Sequence, residues 1–286
     1  MSLIKITDTD GRRIPGRQLV LRYGLLIAVL ALTVGPFLWQ LSTSLKGPHE
    51  DIFSSPPTFL PGEPTLDNYS RVSQTIPVWD YALNSLKVAT ANVLTNCIGS
   101  ALAGYALARM RYRGRRAATL VFILAMLVPV EGIIIAQFTT MRDIGLNNTL
   151  IAVLLPGCIG AMNVLLMRNA FRNLPHEVEE AAFVDGATAW QRFLRIALPS
   201  VKGTLAVVAI FAFMGAWDDF LWPLIVLSDP ENFTLTIGLN YLHGTFANDE
   251  RLVAAGTVIA VLPLIVLFAC LQRFFFRGVG EGAVKG

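Results

Sequence analysis

Apolar residues fall in six blocks, at about 19–41, 82–108, 117–138, 150–171, 201–227 and 252–276. Each is about twenty residues or longer, the length an α-helix needs to cross roughly 30 Å of hydrocarbon. The pattern predicts six membrane-spanning helices. The first block lies where a signal peptide would, but its apolar run is longer than an h-region. The bulky Phe37-Leu38-Trp39-Gln40 also stands where small residues would mark a cleavage site, so a retained helix is expected. The polar stretches between blocks are uneven. Residues 42–81 are rich in Pro and Gly and read as an irregular outer loop, and residues 228–251 form a second one.

Composition agrees. Of 286 residues, 54% are apolar and 15% charged, against about 25% charged in a soluble domain. A soluble enzyme, a nucleic-acid binder and a disordered chain all fit this poorly. The distribution of cations sets an orientation. All 23 Lys and Arg except Lys46, Arg71, Lys87, Arg142 and Arg251 lie in, or at the block ends beside, the N-terminal tail, the loop after the second block, the segment after the fourth, or the C-terminal tail. The positive-inside rule puts those four segments, and both termini, in the cytoplasm. A cytoplasmic tail at 1–18, a six-span domain at 19–276 and a cytoplasmic tail at 277–286 follow. Cys97, Cys158 and Cys270 are widely spaced inside apolar blocks, which excludes a disulfide framework or a CxxC site. They read as small hydrophobes.

No nucleotide-binding loop is present. The closest string, Gly278 to Gly286, has the wrong spacing and no following Ser or Thr. No H-E-x-x-H or G-x-S-x-G occurs, and none of the three His lies inside a span. No catalytic residue or metal ligand is therefore expected, and any energy source must lie elsewhere.

Residues 172–200 are too many for a simple cytoplasmic turn. Pro175 suits a first helical turn, and Glu177 and Glu179 follow where the helix dipole favours acids. Gly186 is a natural stop, and Thr188 with Gln191 has capping-box spacing. The segment reads as helix, Gly corner, helix. Val178, Ala181, Ala182 and Asp185 share one face, mostly Ala, which lets a partner approach the backbone. An amphipathic helix lying on the membrane is the competing reading, but an acid-rich helix without bulky apolar residues on that face suits it poorly.

Glu180-Ala181-Ala182, Gly186, Ile196 and Leu198-Pro199 stand at the spacing of the EAA motif, and through it the chain resembles the permeases of ABC importers. Leu66-Asp67-Asn68-Tyr69, Gly104 to Arg109, Gly145 to Thr149, Trp217 to Leu224 and the ending Gly282 to Gly286 are similar to the carbohydrate-uptake branch, in particular to the second permease of maltose-type systems. The resemblance implies an all-α integral membrane protein of the type I importer permease fold, with a cytoplasmic coupling helix. It implies that Glu180, Ala181, Ala182, Asp185, Gly186, Ile196, Leu198 and Pro199 form the surface that docks on a separate ATPase. The implied partners are a second, homologous permease, two ATPase subunits that hold the ATP and Mg, an extracellular solute-binding protein or lipoprotein, and membrane lipid. It implies a bacterial or archaeal cell membrane, and a C-terminal tail, including Gly282 and Lys285, that reaches the ATPase pair. That family usually has Asn at the position of Asp218.

Glu131, Asp218 and Asp219 are the only acids inside the blocks. A charge at the bilayer centre costs about 2.5–3.5 kcal/mol on insertion scales. With Trp217 and Phe220 they suit a sugar, which offers hydroxyls to carboxylates and apolar ring faces to aromatics. Interhelical hydrogen bonding is the structural alternative. An ion-coupled secondary transporter using the same acids is the rival function. In the second block, Ser85, Ala89, Asn92, Asn96, Gly99 and Ala103 share a face that reads as a helix–helix seam.

Overall fold

The computed structural model describes residues 16–54, 58–244 and 249–283, and these are helical with no strand among them. They form two compact units.

One unit comprises residues up to Val72 together with the stretch to Val258 at the start of the last helix. Its α1 (Gly16–Ser44) exposes Leu21, Leu25, Ile27, Leu30 and Leu32, apolar around the helix as a lipid-facing span is. The following loop is not wholly irregular, because it contains α2 (Asp67–Thr75). Asn68 of α2 donates from Nδ2 to the carbonyls of Ser44 and Lys46 at 3.0 and 2.9 Å, and the Tyr69 and Ser44 hydroxyls meet at 2.8 Å. These bonds tie off carbonyls that the end of α1 would leave unsatisfied. Lys46 is fully buried. Its ammonium donates to the Thr58 carbonyl at 2.8 Å and lies 4.7 Å over the Trp39 ring, which compensates its lost hydration. Asp249 pairs with Arg71 at 2.9 Å and Arg251 at 3.2 Å. Burial pushes the Asp249 carboxyl up, but the Arg251 amide and the two guanidinium groups together hold it below its ordinary value.

The second unit is built around α3 (Val78–Arg109). Around it stand α4 (Arg115–Ala125), α5 (Val130–Asp143), α6 (Leu150–Leu154) and α7 (Ala161–Arg172), then α8 (His176–Val184), α9 (Ala189–Arg192) and α10 (Leu198–Ser200). There follow α11 (Lys202–Trp217), α12 (Leu221–Val226), α13 (Leu235–Gly244) and α14 (Glu250–Ala283), the last shared between the units. α3 packs mainly on α7 and α11. Gly104 permits the first of these contacts: a Cβ there would stand 2.7 Å from Met167 Cβ and 2.8 Å from the Arg168 amide. The polar seam is real. Asn92 donates to the Ala212 carbonyl of α11 at 2.9 Å. Asn96 donates to the Gly157 carbonyl at 2.8 Å and accepts from the Gly160 amide and Asn163 Nδ2, each at 2.8 Å. One buried side chain thus pairs the backbone groups freed where α6 gives way to α7.

The expected spans are less regular than the apolar blocks. Among the described residues, only α1 and α14 are continuous helices long and apolar enough to cross a membrane, and three bent pairs bring the number to five if each is one span. The block at 117–138 is two helices, α4 and α5, at 101°. Pro129 is the cause: it disfavours helical backbone at Val128 and then caps α5. α6 and its 3-10 turn meet α7 at 44°, across Pro156, Gly157 and Gly160. The block at 201–227 breaks between α11 and α12. α3 is long enough to span, but Asn84, Ser85, Lys87, Asn92, Thr95, Asn96 and Ser100 lower its hydropathy. The outer segment 228–251 also holds more structure than expected: in α13, Leu235, Ile237 and Leu242 are buried.

Candidate coupling surface and solute pathway

α8 follows Pro175 and carries Glu177 and Glu179 in its first turn. Its end is closed by two bonds, from the Ala187 amide to the Ala182 carbonyl at 2.9 Å and from the Gly186 amide to the Phe183 carbonyl at 3.0 Å. This is a Schellman closure, and it needs a left-handed residue at Gly186. Gly186 has φ +81°. An added Cβ there would meet nothing within 4 Å, so the demand for Gly comes from the backbone alone. Thr188 then caps α9 in a capping box, with the Gln191 amide donating to Thr188 Oγ1 at 3.2 Å and the Thr188 amide to Gln191 Oε1 at 2.8 Å.

Glu180, Ala181, Asp185 and Pro199 are exposed, while Ala182, Ile196 and Leu198 are half-buried. The motif therefore divides. Its first part faces outward on α8, and Leu198 packs against a cluster that includes Phe171, Phe193 and Ala197. Val178 is exposed as the face reading implies, and Phe183, Val184 and Trp190 are also exposed around the corner, so it presents bulky apolar groups that the face reading did not include.

What holds α8 in place is Arg109, which the sequence placed only as a cytoplasmic cation at the end of a family-like run. Its side chain is 3% exposed and forms an ion pair with Glu179 at 3.5 Å. Nε donates to the Phe171 carbonyl at 2.9 Å, a second nitrogen meets His176 Nδ1 at 2.7 Å, and the third donates to the Leu174 carbonyl. One guanidinium thus joins the C-terminal end of α3 to the end of α7, the link after it and the start of α8. Tyr105, one turn earlier, packs against Phe171 and Phe193 with ring centres 5.4 and 5.1 Å away.

The pathway candidates lie at helix breaks rather than along continuous spans. Asp218 is the exposed C-cap of α11. Asp219 is half-buried; its carboxylate accepts from the Trp222 amide at 3.4 Å, and its carbonyl accepts from Thr236 Oγ1 at 2.7 Å. Phe220 is the half-buried N-cap of α12. Glu131 is exposed in the first turn of α5, where the dipole favours it. No hydrogen bond or ion pair among the described residues joins Glu131 to either Asp. Trp217 does not present its ring to a pathway. It is 3% exposed, stacks on Phe213 with ring centres 5.5 Å apart, and donates to the Ala260 carbonyl at 3.0 Å. Trp222, which could have been an interfacial belt residue, is buried too and donates to the Ala152 carbonyl at 3.0 Å.

α14 runs to Ala283, so Gly282 lies in helix, and Lys285 lies outside the described residues. The Gly-rich stretch would not form a helix alone, but extending a helix already nucleated is far less costly than starting one.

Residues 96–281 match the family described as binding-protein-dependent transport system inner membrane component. Two relatives are the arabinooligosaccharides transport system permease protein AraQ of Halalkalibacterium halodurans and the lactose transport system permease protein LacG of Rhizobium radiobacter. The first is 34% identical over 229 residues, covering 80% of this chain and 82% of the relative. The second is 31% identical over 274 residues, covering 96% and 98%. The fold matches a bacterial ABC transporter involved in the import of the acidic polysaccharide alginate, with a TM-score of 0.79, 25% identity, and 91% and 97% of the two chains covered. The chain belongs to the binding-protein-dependent inner membrane component family. It is a membrane-embedded permease subunit of an ABC importer, a transport subunit and not an enzyme, and the ion-gradient reading finds no support.

Proposed function

We propose that the chain forms half of the translocation pathway of an ATP-driven importer for an oligosaccharide or related polar solute. The observation that carries the coupling half of this reading is the exposed α8–Gly186–α9 corner, which bears the EAA residues on a helix locked to the membrane unit. Glu180, Ala181, Ala182, Asp185 and Gly186 dock in a cleft of the ATPase, and Ile196, Leu198 and Pro199 set the angle at which the corner leaves the membrane. A second, related permease completes the pathway. Two ATPase subunits hold ATP and Mg, and an extracellular solute-binding protein delivers the solute. Both termini are cytoplasmic, and the tail with Gly282 and Lys285 reaches the ATPase pair.

The solute class is supported by the arabinooligosaccharides and lactose in the relatives' names and by the alginate importer's fold. Asp218, Asp219, Phe220 and Glu131 stand where helices break, and backbone and carboxylate oxygens there can replace the water around sugar hydroxyls. Vesicles containing the assembled importer test the whole reading. Uptake of labelled oligosaccharide should require ATP and the binding protein, and should persist when ionophores collapse ion gradients. Uptake that follows a proton or sodium gradient without ATP would defeat it.

A further inference from the structure

α3 is unlike its neighbours. It runs 32 residues without a break, about 48 Å at ~1.5 Å per residue, while the chain around it is broken at α4/α5, α6/α7 and α11/α12. It also carries polar anchors near both of its ends.

At the inner end, Arg109 grips α8 through His176 and Glu179 and the end of α7 through two carbonyls. The guanidinium is shielded from water, so salt screens this grip little. At the outer end, Asn84 donates to the Glu231 and Phe233 carbonyls at 2.9 and 3.2 Å, and Ser85 Oγ accepts from the Leu235 amide at 2.8 Å. Tyr81 presses on α13 at Gly238, where a Cβ would stand 2.1 Å from its ring. Between the two ends, Asn92, Asn96 and Gly104 seat α3 on α11 and α7. The covalent routes out of α8 are softer. One is the Asn173-Leu174-Pro175 link, and the other passes the left-handed Gly186, a π turn and a 78° bend before α11.

We infer that α3 is the rigid link that carries movement of the cytoplasmic α8 to the outer segment Asp229–Leu235, with Arg109 as the inner positioning residue and Asn84 and Ser85 as the outer ones. The inference rests on the reading of α8 as the ATPase-coupling helix. A fork that holds a carboxylate, an imidazole and two carbonyls at once fixes orientation as well as distance, which a Lys ammonium cannot do. A stiff helix fixed at two points about 38 Å apart transmits displacement between them without any change of its own. The outer segment would then signal the presence of a loaded binding protein inward by the same route, since coupling between two sites is reciprocal.

The test uses the assembled importer in nanodiscs. Arg109→Lys, Asn84→Ala with Ser85→Ala, and all three together are compared with wild type for basal ATPase and for stimulation by solute-loaded binding protein. Spin labels at Glu177 on α8 and Leu102 on α3 report their separation with and without nucleotide. The expected result is one narrow α8–α3 distance in both states of the wild type, broadened in Arg109→Lys. Basal ATPase stays within about twofold, and stimulation falls at least tenfold in either variant. The combined variant is no worse than the worse of its parts, because one break in a link suffices. Full stimulation in Arg109→Lys, losses that multiply, or a wild-type α8–α3 distance that changes with nucleotide would overturn the inference. Should Arg109→Lys not assemble, Ser85→Ala alone carries the same test, since it removes one acceptor at the far end. Cross-linking from Glu180→Cys to the ATPase separates the two readings. Its absence in the wild type removes the coupling role of α8, while the spin-label distances still judge the link itself.

Discussion

A single torsion governs the α8–α9 corner. At Gly186 the backbone is left-handed and space around it is open, so substitutions should sort by backbone preference and not by size. A non-Gly residue in that region costs of order 1–3 kcal/mol, most for a β-branched one and least for Asn. Gly186→Val should therefore assemble in the membrane yet lose most binding-protein-stimulated ATPase activity, whereas Gly186→Asn should retain the greater part. Equal activity of Val and wild type would remove the corner from the mechanism. The adjacent acids Asp218 and Asp219 differ in a comparable way. Asp218 is exposed at a helix end, and Asn preserves its hydrogen-bonding oxygen, so Asp218→Asn should leave uptake within about twofold. Asp219→Ala strips the Trp222 amide of its acceptor at the start of α12, a hydrogen-bond loss typically worth about 0.5–1.5 kcal/mol. It should lower both uptake and thermal stability. Abolished transport in an intact, ATP-hydrolysing Asp218→Asn complex would show that the carboxylate charge itself is needed.

At the scale of elements, breaks and their compensation matter more than span length. Pro129 ends one helix and starts another, and Asn96 satisfies the backbone opened between α6 and α7. Unpaired polar groups in hydrocarbon cost several kcal/mol each, so irregular backbone persists there only where a side chain such as Asn96 meets it. The last helix shows the reverse case, in which a sequence poor in helix propensity stays helical to Ala283 because a long apolar helix precedes it. Deleting residues 278–286 should leave insertion of the chain unchanged and reduce coupled ATPase activity several-fold, measured in membranes with equal amounts of complex. Full activity after the deletion would mean that the tail does not reach the ATPase.

For the whole molecule, the charge asymmetry makes an orientation that can be measured. Single Cys probes at Arg111 and Arg113, in the basic loop after α3, should react with a membrane-impermeant thiol reagent only after the inner side is opened. A probe at His49 should react from outside. The opposite pattern would invert the topology and place the α8 corner away from any cytoplasmic ATPase. The same assignment puts the buried Lys46 and the Arg71–Asp249–Arg251 cluster on the outer side, where they brace the segment that follows α1.

Local terms made much of this legible before any coordinates. The length of an apolar block follows from bilayer thickness, and the Gly186 corner from the few residues that can close a helix and cap the next. The EAA spacing likewise survives in a linear string because the α8–Gly186–α9 corner that carries it is nearly continuous in sequence. The tertiary structure decided whatever depends on a distant partner. Trp217 reads as a pathway aromatic until the Ala260 carbonyl is found to take its N–H. Arg109 reads as one cation among five in a loop until Phe171, Leu174, His176 and Glu179 converge on it. Segment 228–251 reads as loop until the close approach of Gly238 to Tyr81 seats α13. Periodicity and composition sum over neighbours in the chain. A single buried hydrogen bond or a contact that only Gly admits is set by residues forty or more positions away, and no window along the sequence contains both.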